Sequence, residues 1–457
     1  MDGNGFFPRE TPVADLGLAE LLGALSHALD ITEGQPPGHC VRCCWIGMHV
    51  GREIGLPATV LRDLYYTLIL KDLGCSSNAA RICELYLTDD LSFKRDFKLV
   101  GDSLPQVVQF VLGHTGLGAG LAQRFRSVLN IFQNGGEIAR ELIETRCQRG
   151  AQIALRMRFS QEVADGIQNL DEHWDGGGKP LGMEGESIPV AARIALLAQV
   201  ADVFRTSHGP EQARAEIARR RGSWFDPKLV DAFARVAADP EFWKTLASPG
   251  IEQAVFALEP AQDRVALDED YLDDIAAAFG QVVDAKSQFT SGHSTRVALY
   301  ADLIAERLDM SESRRRWLRR GALLHDIGKL GVSNAILDKP GKLDDREWFT
   351  MRNHAALTAA ILSRIAAFGE LAQVSAAHHE RLDGTGYPLQ LDAAKISLET
   401  RIITTADIFD AITADRPYRK AVAVAETIEI MRKEVGRAID ARCFQALEDV
   451  LANTPMP

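Results

Sequence analysis

Every histidine after His208 falls into one ordered set: His293, His325, His354 and the pair His378-His379. Asp326 adjoins the second of these, and Asp407 follows the last. Imidazole and carboxylate donors together suit a first-row transition metal such as iron, manganese, nickel or zinc better than calcium or magnesium alone. Seven such side chains exceed the need of one ion and point to a paired site. The two oxygens of Asp326 can reach two ions, and ions about 3.5–4 Å apart can hold an attacking hydroxide and a phosphoryl oxygen together. Lys329, three residues after Asp326, is expected on the same helical face one turn on, where its ammonium would neutralise phosphate charge. A single helix histidine is more often a satisfied core residue than a ligand, so the ordered set carries this reading rather than any one member.

The elements that must position these residues read as helices. Val297, Tyr300, Ile304 and Leu308 form one apolar stripe, and Leu318, Leu323, Leu324, Ile327 and Leu330 continue the pattern. Strand-like alternation is scarce, so the fold class is all-α. The chain also repeats itself at the scale of a domain. Gly-His39-Cys-Val-Arg answers Gly-His293-Ser-Thr-Arg, and thirty-two residues after each histidine stand LILKDLGC, ending at Cys75, and ALLHDIGK, ending at Lys329. EHWDGGGKP (172–180) answers ERLDGTGYP (380–388), Arg193-Ile194 answers Arg401-Ile402, and GSWFDPKLVDAF from Gly222 answers GRAIDARCFQAL from Gly436. The expected organisation is two tandem helical bundles: 14–240 with an insertion at about 80–145, a helical linker at 241–267 around Pro240, Pro249-Gly250 and Pro260, and a second bundle at 268–457. Within the insertion, GHTGLGAG (113–120) is expected as loop, and nothing in the first copy matches Asp415-Arg-Pro-Tyr-Arg-Lys420.

Composition sets the outer limits. A chain of 457 residues with 46% hydrophobic and 25% charged residues is globular rather than disordered. A formal charge of -12 argues against a nucleic-acid polymer or an anionic membrane as partner, while leaving room for a small anion held by local cations or metals. No run of about 18 apolar residues occurs and the N-terminal segment has no signal-peptide pattern, so a cytoplasmic protein with no membrane association is expected. Seven cysteines, odd in number and scattered, read as buried thiols rather than a disulfide framework, Cys40-x-x-Cys43 included. The basic run Arg314-Arg315-Arg316 with Arg319-Arg320 reads as solvated surface.

His325-Asp326 in a helical domain, with flanking histidines and a distal aspartate, resembles the HD phosphohydrolase superfamily. HHERLDGTGYP (378–388), with LLHDIGKLGV, ILDKPGKL, RIITTADIFDAIT and DRPYRKA, resembles the HD-GYP subfamily over most of 284–450. That resemblance implies a bacterial metal-dependent phosphodiesterase that opens cyclic di-GMP to pGpG or GMP. The alternatives are another cyclic dinucleotide such as 3',3'-cGAMP, or a receptor that binds a dinucleotide without turnover. It also implies His293, His325, Asp326, His354, His378, His379 and Asp407 as metal ligands, Asp326 bridging and catalytic with Lys329. Lys329, Tyr387, Asp410, Arg416 and Arg419 would lie beside the substrate. Read without the family, Tyr387 is a packed loop tyrosine, and Arg416 and Arg419 lie on a solvated helix face. Two divalent ions are implied, iron or manganese first, with nickel, zinc or cobalt as alternatives. Some members carry a glutamate four residues before the first histidine and bind a third metal; Phe289 stands there.

The first copy has lost this set. Lys71 stands for the histidine of His-Asp and Cys75 for the lysine. Leu170-Asp171 stands for the paired histidines, Gln148 or a neighbour for the third, Gln199 for the distal aspartate and Lys179 for the tyrosine. His39 and Asp72 alone remain, too few for a metal pair. A degenerate copy implies a regulatory or interaction role, through a homodimer or a signalling protein, or simple buttressing of the active copy.

Overall fold

The computed structural model describes residues 17–101, 103–260, 267–417 and 419–453. The expected start of the first domain at 14 and the stretch 261–266 of the expected linker lie outside the described residues. The described residues are mainly helical, with isolated β-bridges as the only extended pairing among them. They divide into two compact units, one ending at Ala266 and the other beginning at Leu267. No helix among the described residues is long and apolar enough to cross a membrane.

The second unit is built on the helices Glu269–Asp284, His293–Arg307, Glu312–Leu324, Asp345–Leu362 and Leu398–Thr413, closed by Ala441–Asn453. Val297, Ile304, Leu318, Ile403, Phe409 and Leu447 fill its core. Helix starts follow from side-chain caps: the hydroxyl of Ser397 accepts from Thr400 N–H, and Asp344 with Glu347 forms a capping box. The arginine run is not a solvated surface. Arg314 pairs with Glu370 and Glu399, Arg315 with Asp302 and Glu306, and the buried Arg320 with Glu269 and Asp273. The acidic partners come from four neighbouring helices, so the run binds the bundle together.

In the first unit the matched helices are Leu18–Thr32, His39–Glu53, Ala58–Leu70 and Val190–His208. The insertion supplies Ala79–Tyr86, Asp90–Phe97 and Leu104–His114, then most of the long helix Leu121–Arg156; of the loop expected over 113–120, 115–120 is irregular, while Gly113 and His114 complete the last turn of Leu104–His114. It has a core of its own that includes Ile82, Tyr86, Phe93, Phe110, Ile138 and Leu142. The stretch expected as a linker holds the helices Pro240–Leu246 and Ile251–Phe256, which pack on this unit. Phe242 stacks on Trp45, Glu252 lies 2.8 Å from His27, and Tyr66 donates to Glu259 over 2.6 Å. Of the seven cysteines all but Cys83 are buried, and none is in a disulfide.

The same devices recur in both units. Gly38 and Gly292 open the first-histidine helices with positive φ of 85° and 69°, a conformation that favours glycine. Asp30 accepts the N–H groups of Gly38, His39 and Cys40, and Asp284 that of Ser294. Glu172 accepts from Leu181 and Met183 N–H, and Glu380 from Leu389 and Leu391 N–H, which folds each DG loop back on itself. Both loops carry a cis proline peptide, Lys179-Pro180 and Tyr387-Pro388.

Candidate metal centre

Five elements of the second unit bring the seven expected ligands together. His293 opens its helix, His325 and Asp326 follow the end of Glu312–Leu324, His354 lies within Asp345–Leu362, and His378 follows the end of Gly369–Ala376. Asp407 comes from Leu398–Thr413. The donor atoms form two groups, His293, His325 and Asp407, and Asp326 with His354, His378 and His379. Asp326 spans both. Its Oδ2 lies 3.4 Å from His293 Nε2 and 3.3 Å from His325 Nε2, while its Oδ1 lies 3.5 Å from His354 Nε2 and 3.6 Å from His378 Nε2. Asp407 Oδ1 lies 3.4 Å from His293 Nε2.

The tautomers are set for coordination. His325, His354 and His378 each donate Nδ1–H to the carbonyl three residues earlier, at Ala322, Met351 and Ser375, over 2.7, 2.6 and 2.6 Å. His293 turns its Nδ1 to Asp410 over 2.7 Å. All four Nε2 atoms and Asp326 Oδ1 are buried with no hydrogen-bond partner. Buried imidazole and carboxylate atoms left unsatisfied are costly. Donor atoms on one ion, at bond lengths of about 2.0–2.2 Å, stand about 3–3.6 Å apart, close to the spacings found here. The donor set therefore fits a pair of divalent metals.

The charge balance agrees. Burial works against charge at Asp326 and Asp407, yet the surrounding imidazoles, with Lys329 beside Asp326, hold both carboxyls well below the usual range. Burial depresses His354 to about 4 and His379 to about 3, and pushes His378 well below its usual value. His293 goes the other way, to about 10: burial opposes its charge, and Asp326, Asp407 and Asp410 outweigh burial. Metal ligation requires neutral imidazoles beside ionised carboxylates; His354, His378 and His379 meet this without an ion, while at His293 the three carboxylates favour a positive charge, which a bound ion would supply in place of the proton.

Lys329 reaches the Asp326 carboxylate, but from a 3-10 turn, Ile327–Gly331, rather than the α-helical turn expected. The turn is tight because Gly328 lies against the His354 carbonyl, where a Cβ would overlap it, and donates its N–H to Thr358 over 3.0 Å. Thr358 in turn donates to the carbonyl of His325. A cavity of about 1040 Å³ opens over the centre and is lined by Lys329, His354, His379, Tyr387, Asp407, Arg416 and Arg419. The Tyr387 ring packs on His379 with centroids 4.7 Å apart.

Two expected substrate contacts are placed differently. Asp410 is buried behind His293, bonded to that ring and to Arg296 Nε at 2.5 Å, and does not line the cavity. Arg419 lines it, but its guanidinium also donates to the carbonyls of Ala411 and Ile412 at the end of Leu398–Thr413. Sequence reasoning missed Arg296 and the cavity cations Lys339 and Lys342. The Gly-His-x-x-Arg echo between the copies contained the signal for Arg296, since Arg42 holds Asp202 in the same way.

In the first unit, side-chain cations stand where the second unit gathers its ligands. Lys71 Nζ pairs with Asp72 and lies 3.0 Å from Gln199 Oε1. Arg146 pairs with Asp171, and the Arg146 carbonyl borders Gly74 as that of His354 borders Gly328. Arg146, two residues before Gln148, is therefore the counterpart of the third histidine. The remaining acidic clusters are closed: Asp202 holds His39 and Arg42, and Glu33 holds Lys98 at 2.6 Å.

The HD domain family model matches residues 117–229 and 278–443, a segment in each unit. The chain is 55% identical over 438 residues to 3'3'-cGAMP-specific phosphodiesterase 3 of Vibrio cholerae serotype O1, covering 96% of this chain and 95% of that protein. It is 36% identical over 171 residues to the cyclic di-GMP phosphodiesterase response regulator RpfG of Xanthomonas campestris pv. campestris, covering 36% of this chain and 45% of that one. Among solved structures it is similar to a cyclic GMP-AMP-specific phosphodiesterase of Vibrio cholerae, V-cGAP3, with TM-score 0.66, 49% identity and coverage of 96% and 99%.

Proposed function

Because the chain belongs to the HD phosphohydrolase superfamily, we propose that it is a phosphodiesterase whose second unit hydrolyses 3'3'-cGAMP. The observation that carries the chemistry is the pair of donor groups joined by Asp326, with four buried Nε2 atoms left without a hydrogen bond. His293, His325 and Asp407 would hold one divalent ion and His354, His378 and His379 the other, with Asp326 shared. When bound, the ions supply Lewis acidity toward a phosphoryl oxygen and an activated water. Iron or manganese suits this mixed imidazole and carboxylate set.

The chain's own residues do the rest. The ammonium of Lys329, tethered to Asp326 at the cavity floor, neutralises a non-bridging phosphate oxygen as its charge grows. Arg416, Lys339 and Lys342 face the same cavity and attract a dianionic ring without a basic surface overall. Tyr387, packed on His379, lines the cavity where its ring would meet a base. Asp410 holds His293 in its coordinating tautomer and touches no substrate.

The order of substrates differs from the sequence expectation, which placed cyclic di-GMP first. The relative matched over nearly the whole chain is a 3'3'-cGAMP-specific enzyme, whereas RpfG matches about a third of it. Cyclic di-GMP hydrolysis is the second reading, favoured by that partial similarity. We assign the first unit a non-catalytic role, since Lys71, Arg146 and Gln199 stand where ligands would be. Manganese- or iron-loaded protein is given each dinucleotide and the products are separated by mass. Faster turnover of 3'3'-cGAMP, lost in a His325→Ala, Asp326→Ala variant, is expected; turnover unchanged in that variant would overturn the site.

A further inference from the structure

The first unit has a cavity of about 320 Å³ in the place that the catalytic cavity takes in the second. Lys179, Gln199 and Arg146 line it, at the positions of Tyr387, Asp407 and His354. Its floor is sealed by ion pairs, Arg146 with Asp171 and Lys98 with Glu33. Its walls are new. Tyr86, Phe93, Phe97 and Leu142 come from the insertion, which the second unit lacks, and face Val203 and Trp224. Trp224 is fixed by stacking on His173, with centroids 4.1 Å apart.

The charge at this cavity is unbalanced. Lys94, Lys98, Arg146 and Lys179 line it against Glu33 and Asp171. Lys94 donates to the Cys75 carbonyl at 2.5 Å and lies 3.8 Å from Glu33. Lys179 is half-buried, and its ammonium has no ion pair or hydrogen bond among the described residues. An uncommitted cation at the rim of an aromatic and aliphatic pocket complements an anion joined to an apolar body. At under a third of the volume of the catalytic cavity, the space is too small for a cyclic dinucleotide.

We propose that this pocket binds a small organic acid, its carboxylate on Lys179 and its compact apolar body between the insertion's aromatic rings and Trp224. The proposal concerns the first unit alone and does not depend on the phosphodiesterase reading. The insertion then has a function: it converts a vestigial active site into a receptor site for a different chemical class.

The test is isothermal titration of the full chain with naphthalene-2-carboxylate and decanoate, with naphthalene-2-carboxamide and decanamide as uncharged matches. Saturable 1:1 binding of either acid is expected, at least tenfold weaker for its amide and at least tenfold weaker in Lys179→Glu. The tighter acid assigns an aromatic or an aliphatic body. Lys179→Met, a milder change at a half-exposed position, should weaken the acid while leaving the amide unchanged. Loss of the acid-induced change in tryptophan emission in Trp224→Phe places the ligand in this cavity. No binding of either acid at millimolar concentration overturns the proposal, as does equal affinity for acid and amide or for wild type and Lys179→Glu.

Discussion

Lys71 Nζ lies 3.2 Å from Nε2 of His39, on the side of that ring where His293 in the second unit faces Asp326 and Asp407. The two first histidines are otherwise held alike, each with Nδ1 on an aspartate at 2.7 Å. One copy has a permanent ammonium where the other gathers its candidate metal ligands. Consistent with that ammonium, His39 is pushed below its usual value by burial and by Lys71.

Removing metal should therefore divide the two units. Calorimetry of metal-loaded protein with and without a chelator is expected to move one unfolding transition by several degrees and leave the other in place, because bound metal stabilises only the state that holds it. Lys71→Ala should lower the transition that the chelator spares, by about 3–5 kcal/mol, since it leaves Asp72 buried without its cation.

Asp410→Asn should reduce metal content and turnover about 10–100-fold with the fold intact, since the aspartate sets the ring of one ligand without touching substrate. Metal analysis beside a kcat measurement checks this. The matched Asp202→Asn should leave both unchanged.

Lys329→Met is expected to lower kcat about 10²-fold with a smaller effect on KM, since its charge is needed most as phosphate charge develops. Steady-state rates at fixed metal occupancy decide it. A change confined to KM would make Lys329 a binding residue only.

Gly328→Ala should lower the melting temperature by at least about 5 °C and lose metal, because the new Cβ would overlap the His354 carbonyl and push that ligand away. Thermal melts of both metal-free proteins separate the packing effect from the loss of metal.

Acid should act on the first unit through Glu33. Burial favours its neutral form, but Lys98 and Lys94 outweigh burial and hold it at about 2, against an ordinary 4.5. A carboxyl lowered on folding stabilises above its unfolded value, and that contribution is lost as pH falls from 4.5 toward 2. Lys98→Met removes the closer cation and raises the folded value, so acid unfolding followed by circular dichroism should begin at higher pH.

The gathering of seven donors was legible because order and spacing survive folding: each side chain expected as a ligand joins one of the two donor groups. The all-α class was legible from the same periodicity. Asp410 was misread because proximity along the chain to Asp407 does not tell which side of the ring a carboxylate takes. Lys329 lies on a 3-10 turn because Gly328 permits the chain to press on His354 there, a contact with no local signature. The counterpart of His354 was placed two residues late because the insertion destroys the register between the copies. The arginine run looked solvated because its acidic partners lie on other elements, from Glu269 to Glu399.

Three of the four rings with defined Nδ1 partners are oriented by main-chain carbonyls, and only His293 depends on a side chain. Drift among neighbouring residues thus has little purchase on the geometry of the centre. Such a site disappears chiefly by exchange of the ligands themselves, and then all at once in function while little changes in shape. The first unit has the form that route would leave: an aspartate-histidine pair and a loop like those of the second unit, with cations at the positions of the candidate ligands. A family built this way should contain many folded, inert copies, each free to acquire walls of its own.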